Sequence, residues 1–433
     1  MASGHPDTST DENRRALWSW ALYDWANSAF FTIILTFIFA RYFSESVIQD
    51  KVTGTEAWGN IVGLSGLAVA ILAPILGAIA DQNGRRKPWL IAFTLLCVVA
   101  TAMLWFVAPG SGDLWFAAFW VSLGILGAEC AFIFYNAMLP DLASPERVGR
   151  WSGWSWGLGY VGGVTCLVVA LFGFIEGDTS WLGLDRDNLE HVRATFVLVA
   201  IWYLVFSLPA FFLIPDRHSS GLPLVPAVRA GLAQLADSIR QVRKYRIIVR
   251  FLIARMLYTD GLATIFTFGG VYAAGTFGMN QTQVLQFAIA LNITSGLGAF
   301  AFSWVDDAIG GRNTVLLSLV GLTCSALAIL VVTDPLWFWV FGMTLGIFVG
   351  PLQSASRSYM ARVAPPHLQT QMFGLFAFSG KATAFMGPLL VGWVTAVSGS
   401  QRWGMSTILA FLLVGFVLML TIPPAKEVAH SER

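Results

Sequence analysis

Apolar segments long enough to cross a bilayer recur along the whole chain, and this repetition leaves few folds available. A helix needs about 20 apolar residues to span the hydrocarbon core, and twelve such segments can be identified among the 433 residues. Charged residues are only 12% of the chain, about half the share of a soluble domain. The short alternating segments of a membrane β-barrel are absent. The fold class is therefore predicted as an all-α polytopic membrane protein, with spans at about 17–40, 58–80, 89–108, 114–138, 153–175, 194–214, 248–274, 283–304, 314–332, 335–360, 372–397 and 403–422.

A short polar loop, Gly77–Lys87, separates the second and third segments and sets the predicted orientation. It reads GAIADQNGRRK and ends in three consecutive cations, Arg85, Arg86 and Lys87. Cations concentrate in cytoplasmic loops, and most of the 26 lysines and arginines fall on the same predicted side as this loop. Because the number of predicted crossings is even, both termini are predicted to be cytoplasmic.

The two halves of the sequence resemble each other, which indicates an internal duplication of the kind found in many transporters. A weaker copy of the loop occurs half a chain later, with Asp307, Gly310, Gly311 and Arg312. Within the polar linker, residues 227–246 have apolar positions at helical spacing and are predicted to form an amphipathic helix at the membrane surface. The predicted division is a cytoplasmic tail 1–15, a six-helix bundle 16–214, a cytoplasmic linker 215–247, a second six-helix bundle 248–422 and a cytoplasmic tail 423–433.

Six ionisable side chains fall inside the predicted spans. Such a residue is unfavourable in hydrocarbon unless it is paired, so each is a candidate functional residue. Three are acidic and three are basic, which leaves two interpretations open. They form ion pairs that brace the helices, or they serve substrate binding, ion coupling or gating. The six are Asp24, Glu129, Asp260, Arg255, Arg357 and Lys381.

Amide and phenol side chains lie near these charges at helical spacing, a combination that suits a polar organic solute or a hydrogen-bonded brace. Arg255 and Asp260 are five residues apart, so they are predicted to point in different directions and to meet different partners. By depth within the spans, Asp260 and Glu129 are the first candidates for proton coupling and Asp24 is the third. The polar neighbours assigned to the candidate substrate or ion site are Tyr23, Asn27, Asn136, Tyr258 and Gln353.

Several other functions find no support in the sequence. No metal-ligand spacing, nucleotide-binding loop or catalytic constellation is visible, so we expect no metal, no cofactor and no enzyme activity. A net charge of +1 provides no field to recruit nucleic acid. The four cysteines, Cys97, Cys130, Cys166 and Cys324, all lie in apolar segments, where small core residues are expected.

The loop between the second and third segments resembles the signature loop of the major facilitator superfamily. The matching positions are Gly77, Asp81, Gly84, Arg85, Arg86 and Lys87. More narrowly, segments 21–30, 135–141, 254–261, 353–358 and 373–381 resemble the bacterial relatives of the yeast vacuolar amino-acid effluxer linked to autophagy. Lys381 departs from the arginine expected there, which keeps the charge but loses the two-pronged geometry that grips a carboxylate.

The resemblance implies the major facilitator fold, with 12 transmembrane helices in two pseudo-symmetric six-helix bundles. It also implies secondary transport by alternating access, with amino acids or similar small polar solutes exported across the inner membrane. Proton coupling remains open. So do efflux of lipophilic drugs, lipid translocation and solute sensing without transport. We expect a multi-pass monomer surrounded by membrane lipids, whose partners are a small solute and, where coupling exists, protons.

The signature loop itself is predicted to act in gating and not in substrate binding, because its charges are cytoplasmic. Asp81 and Arg85 are predicted to reach the start of the eleventh helix, where the helix N-terminus favours a carboxylate, and to hold the outward-facing state. The residues assigned to this cytoplasmic gate are Gly77, Asp81, Gly84, Arg85, Arg86, Lys87, Asp307 and Arg312.

Overall fold

Fifteen α-helices, α1 to α15, run through the part of the chain that the structure describes. The structure is a computed structural model and describes residues 8–110, 113–176, 182–216, 224–240, 245–425 and 427. The helices are α1 Thr8–Ala29, α2 Phe39–Tyr42, α3 Lys51–Asn83, α4 Lys87–Met103, α5 Leu114–Leu142, α6 Val148–Ala170, α7 Glu190–Leu213, α8 Leu224–Arg240, α9 Arg246–Phe277, α10 Gln281–Ile309, α11 Gly311–Val331, α12 Pro335–Val363, α13 Gln369–Ser379, α14 Met386–Ser398 and α15 Gln401–Leu420.

Among these residues, eleven helical segments are long and apolar enough to cross a membrane. They coincide with eleven of the twelve predicted segments, so the all-helical membrane class is confirmed. The count of twelve spans and the cytoplasmic termini stay predictions. The predicted amphipathic helix corresponds to α8, and the last part of that prediction, 241–244, lies outside the described residues.

The remaining predicted span, 372–397, the eleventh in order, is not one continuous helix. It is divided into α13 and α14 by a turn at 380–385. Pro388 explains the position of the break, because proline lacks an N–H and its ring excludes the carbonyl of Ala384, four residues earlier. Pro351 has the same chemistry but lies inside α12, which continues through it.

The two loops that resemble each other in sequence both turn at a glycine with a positive φ. Gly84, between α3 and α4, has φ of +80°, and Gly310, between α10 and α11, has φ of +84°. Residues with a side chain rarely adopt these angles. The glycine at each turn is therefore needed for the tight reversal, and the common geometry supports the internal duplication.

The chain divides into two compact units, each assembled from several segments. Unit 1 comprises Met1–Gly66, Gly84–Arg147 and Val161–Ser220, and unit 2 comprises Leu67–Asn83, Val148–Tyr160 and Gly221–Arg433. Unit 2 thus contains two segments that lie within the predicted N-terminal bundle. The predicted bundle boundaries stay a prediction.

Within unit 2, the second part of α3 lies directly against α13, and glycines permit the contact. A Cβ atom on Gly77 would overlap the carbonyl oxygen of Thr370, and one on Gly374 would overlap that of Ala73. Neither backbone can move away without separating the two helices.

We expect Gly374→Ala to lower the melting temperature by several degrees, because inserting a methyl group into a packed contact costs about 1–3 kcal/mol. Gly392→Ala is the matched control, since Gly392 lies in α14 with no heavy atom within 4 Å of its added Cβ. The control variant should be neutral or slightly stabilised, because alanine favours a helix by up to about 1 kcal/mol over glycine. Equal melting temperatures for the two variants would contradict the close contact between α3 and α13.

Candidate functional site

Asp81, near the end of α3, binds the N-terminus of α13. Its Oδ1 accepts the backbone N–H of Thr370 at 3.1 Å, and its Oδ2 accepts that of Gln371 at 2.8 Å. These are the second and third residues of the helix, whose N–H groups have no partner inside the helix. A carboxylate is favoured there by hydrogen bonding and by the helix dipole. The contact predicted between Asp81 and the start of the eleventh segment is present.

Asp307, near the end of α10, makes the corresponding contact with α6. Its Oδ1 accepts the backbone N–H of Arg150, the third residue of α6, at 2.9 Å. The Arg150 side chain also pairs with Oδ2 of Asp307 at 3.2 Å. The neighbouring Asp306 accepts hydrogen bonds from Arg362 and Ser358. Each of the two similar loops therefore places a carboxylate on the N-terminus of another helix in unit 2.

A third helix, α8, joins the Asp81 contact through amide side chains. The Gln82 side chain donates to Gln234 Oε1, and Gln234 Nε2 donates to Gln371 Oε1 at 2.9 Å. A Cβ on Gly231 would lie 2.8 Å from the backbone nitrogen of Ile79, so α8 packs closely on α3. No sequence pattern singled out these glutamines, because amides at a helix end or on a polar linker usually face water.

The cations of the signature loop have partners in unit 1. Arg85 pairs through Nε with Asp216 at 3.4 Å, so the prediction that it reaches the start of the eleventh segment is wrong. The left-handed turn at Gly84 separates Arg85 from the end of α3. Arg86 Nη1 donates to Asp141 at 2.7 Å and is buried.

Lys87 and Arg312 bind the ends of helices. Lys87 Nζ donates to the carbonyl of Ile214, just after α7, at 2.8 Å. Arg312 donates from Nε to Ile422 and from Nη2 to Leu420, at the end of α15, at 2.5 and 3.1 Å. Cations are favoured at helix C-termini, where carbonyls have no partner inside the helix. In each loop, one carboxylate binds a helix N-terminus and one cation, Lys87 or Arg312, binds a helix C-terminus.

In unit 1, Tyr135 lies next to the predicted intramembrane acid Asp24. The Tyr135 hydroxyl donates to Oδ2 of Asp24 at 3.3 Å, and its ring stacks on that of Tyr23. Tyr23 directs its own hydroxyl to Thr94 at 2.6 Å and to Tyr203 at 2.8 Å. Tyr23 therefore serves as a brace between helices. Tyr135 was not selected from the sequence, although it opens one of the segments that carry the family resemblance.

Three other predicted residues of unit 1 lie at different depths of burial. Asn27 is buried on α1, and its Oδ1 has no hydrogen-bond partner among the described residues. Asn136 is buried on α5, whereas Glu129 on the same helix is half-buried. An acceptor without a partner at Asn27 is available to a solute or a water molecule.

Arg255 and Asp260 bind opposite sides of the break between α13 and α14. Arg255 Nη1 donates to the carbonyl of Phe376 at 2.6 Å and to the hydroxyl of Ser379 at 2.7 Å, at the C-terminal end of α13. Asp260 accepts the backbone N–H of Gly387, the second residue of α14, at 3.2 and 3.3 Å. The prediction that these two charges meet different partners is confirmed.

Each charge matches the helix end that it binds. Carbonyl groups at the end of α13 attract the guanidinium, and N–H groups at the start of α14 attract the carboxylate. The Arg255 guanidinium also lies 3.5 Å from the centre of the Phe376 ring, a cation–π contact. Lys381 is half-buried in the turn between the two helices. The break thus brings together three of the predicted intramembrane charges.

Arg357 connects α12 with the first part of α6. The side chain is 0% exposed and donates to Oγ and the carbonyl of Ser152 at 2.9 and 2.6 Å. Its guanidinium lies 4.8 Å from the Trp156 ring. Tyr258 shares a hydrogen bond of 2.7 Å with Ser356 of α12, and Gln353 is half-buried on the same helix.

No group of three or more His, Cys, Asp or Glu side chains that could hold a metal ion occurs in the described part of the chain.

The chain is similar to a family of vacuole effluxers and to individual transporter proteins. The family described as "Vacuole effluxer Atg22 like" matches residues 60–430. The uncharacterized MFS-type transporter YxiO of Bacillus subtilis (strain 168) is 25% identical over 419 residues, covering 96% of each chain. Autophagy-related protein 22 of Coccidioides immitis (strain RS) is 22% identical over 451 residues, covering 85% of this chain and 73% of its own.

Solved structures with the same fold are members of the major facilitator superfamily or transporters. The proton:xylose symporter XylE aligns with a TM-score of 0.74 and 12% identity, over 96% of this chain and 97% of its own. The human organic anion transporter MFSD10 aligns with a TM-score of 0.72 and 16% identity, over 96% of this chain and 100% of its own. At these identities the likeness establishes the fold and not the substrate.

Proposed function

The chain belongs to the Atg22-like vacuole effluxer family of the major facilitator superfamily, and on this premise we propose that it exports a small polar solute, an amino acid or a similar compound, across the inner membrane. Transport proceeds by alternating access as a secondary process. The observation that carries the proposal is the broken helix, with Arg255, Asp260 and Lys381 gathered at 380–385. A break of this kind in a span presents polar backbone and charge to a solute at membrane depth.

The charges at the break suit a zwitterionic solute better than an apolar one. Arg255 and Lys381 offer donors to a carboxylate, and Asp260 offers an acceptor to an ammonium group or a proton. Glu129 is the second candidate for coupling because it lies on a different helix at similar predicted depth. Asp24 and Arg357 stay candidate substrate- or ion-binding residues in this proposal. Asp81 and Asp307, which bind helix N-termini, form the gate.

Ligand-dependent melting of the purified protein tests the substrate class. We expect L-amino acids to raise the melting temperature and tetraphenylphosphonium, a hydrophobic cation, to leave it unchanged, because only a ligand that binds the folded state stabilises it. Each stabilising compound is then tested by counterflow in proteoliposomes. Stabilisation and transport of the hydrophobic cation alone would favour lipophilic efflux. Stabilisation by amino acids without counterflow would favour a sensor.

A further inference from the structure

The short helix α13 is held by a charge at each end. Its N-terminus is bound by the Asp81 carboxylate, through the N–H groups of Thr370 and Gln371. Its C-terminus is bound by the Arg255 guanidinium, through Phe376 and Ser379. The helix has 11 residues and is about 16 Å long at a rise of 1.5 Å per residue. One rigid element therefore extends from the gate contact to the break.

The connection between α13 and α14 is a series of turns and not a regular helix. The N–H groups of Ala384 and Met386 bind the carbonyls three residues earlier, at 3.3 and 2.8 Å, and such turns are less rigid than an α-helix. Gly380 lies directly beside the guanidinium, with an added Cβ only 3.0 Å from Arg255 Nη1. The start of α14 is held separately, by the bond between Asp260 and Gly387. Different residues of α9 therefore hold the two sides of the break, Arg255 at the end of α13 and Asp260 at the start of α14.

Two of the acceptors that hold Arg255 can be replaced by a solute. Phe376 contributes a carbonyl and Ser379 a hydroxyl, both neutral, whereas a solute carboxylate would be a charged acceptor for the same guanidinium. Charge-assisted hydrogen bonds are roughly twice as strong as neutral ones. A carboxylate entering the break therefore competes well for Arg255.

We propose that α13 transmits substrate binding to the gate: a solute carboxylate takes the Arg255 guanidinium from Phe376 and Ser379, and α13, released at its C-terminus, leaves Asp81 at its N-terminus. This inference rests on the proposed function. It adds that the solute is recognised by its carboxylate and that α13 is the element that moves. Ser379 acts as a positioning residue, because it holds Arg255 without being required to touch the solute.

The position of α13 is measured by labelling a cysteine at Thr370. Thr370 is 0% exposed, and the variant Thr370→Cys is made after the four native cysteines are replaced. The probes are L-leucine, L-glutamine and L-arginine, each compared with the amine that lacks its carboxylate: isopentylamine, 4-aminobutanamide and agmatine. We expect at least one amino acid to raise the maleimide labelling rate about fivefold, as a population shift requires, and its amine to leave the rate unchanged.

Two variants complete the test. Ser379→Ala removes one acceptor of the guanidinium, so labelling without ligand should rise about threefold and half-maximal labelling should need less amino acid. Val397→Ala, at an exposed site on α14, is the control and should change neither value. The proposal is overturned if Ser379→Ala labels at the control rate, or if an amino acid and its amine act equally. An absence of counterflow for every probe would instead count against the proposed function. The labelling rate of Ser379→Ala would still show whether the bond between Arg255 and Ser379 holds α13 in place.

Discussion

Replacing Asp260 with asparagine is expected to abolish transport driven by a pH gradient while leaving the fold and solute counterflow intact. Asp260 is 2% exposed and accepts the Gly387 N–H at the start of α14. Asparagine keeps an oxygen for that N–H but cannot bind and release a proton. Gradient-driven uptake should fall at least about 100-fold, as when a proton-transfer group is removed, and the melting temperature should change little.

The experiment compares pH-gradient uptake and counterflow in proteoliposomes for Asp260→Asn, Glu129→Gln and a control, Asp334→Asn. Asp334 caps α12 by accepting the Leu336 N–H at 2.7 Å, and asparagine is an equally good cap. The control therefore makes the same chemical change outside the candidate site. Wild-type gradient-driven uptake in both Asp260→Asn and Glu129→Gln would show that the coupling assignment is wrong.

Much of the fold could be predicted from the sequence because hydrocarbon imposes a simple rule on span length. The segments predicted at 89–108 and 335–360 correspond to α4 and α12 with small shifts at their ends. The span 372–397 was predicted as one segment, and the break within it was not predictable. The break is stabilised by Arg255 and Asp260, which lie more than 100 residues earlier in the chain.

In the candidate site, too, some contacts could be predicted from a local rule, and others depend on the tertiary structure. The contact of Asp81 with α13 followed from a local rule, since a helix N-terminus favours a carboxylate. The partner of Arg85 did not, because a cation at a turn has several helix ends within reach and only the tertiary structure selects Asp216. Tyr135 was missed for a related reason. An aromatic residue in an apolar span looks like core packing until its hydroxyl is seen to bind Asp24.

Replacing Asp81 with alanine is expected to open the gate. The substitution removes two hydrogen bonds from a carboxylate to the start of α13. Loss of a helix N-cap costs about 0.5–2 kcal/mol, and a hydrogen bond to a charged group contributes about 1.5–3 kcal/mol. A loss of about 2 kcal/mol shifts a two-state equilibrium about 30-fold toward the state open at this end, which the predicted orientation makes inward-facing.

Labelling of Thr370→Cys in the cysteine-free protein measures this shift, and Arg85→Ala is the matched control. Arg85 belongs to the same loop, but its side chain is 53% exposed and its pair with Asp216 spans 3.4 Å, a geometry that contributes little to stability. Asp81→Ala should therefore label much faster than Arg85→Ala. Asp307→Ala should act in the same direction, because it frees the N-terminus of α6, and the double variant should exceed either one. If accessibility is the same in Asp81→Ala and Arg85→Ala, these carboxylates only brace the fold, and the gate must be sought elsewhere.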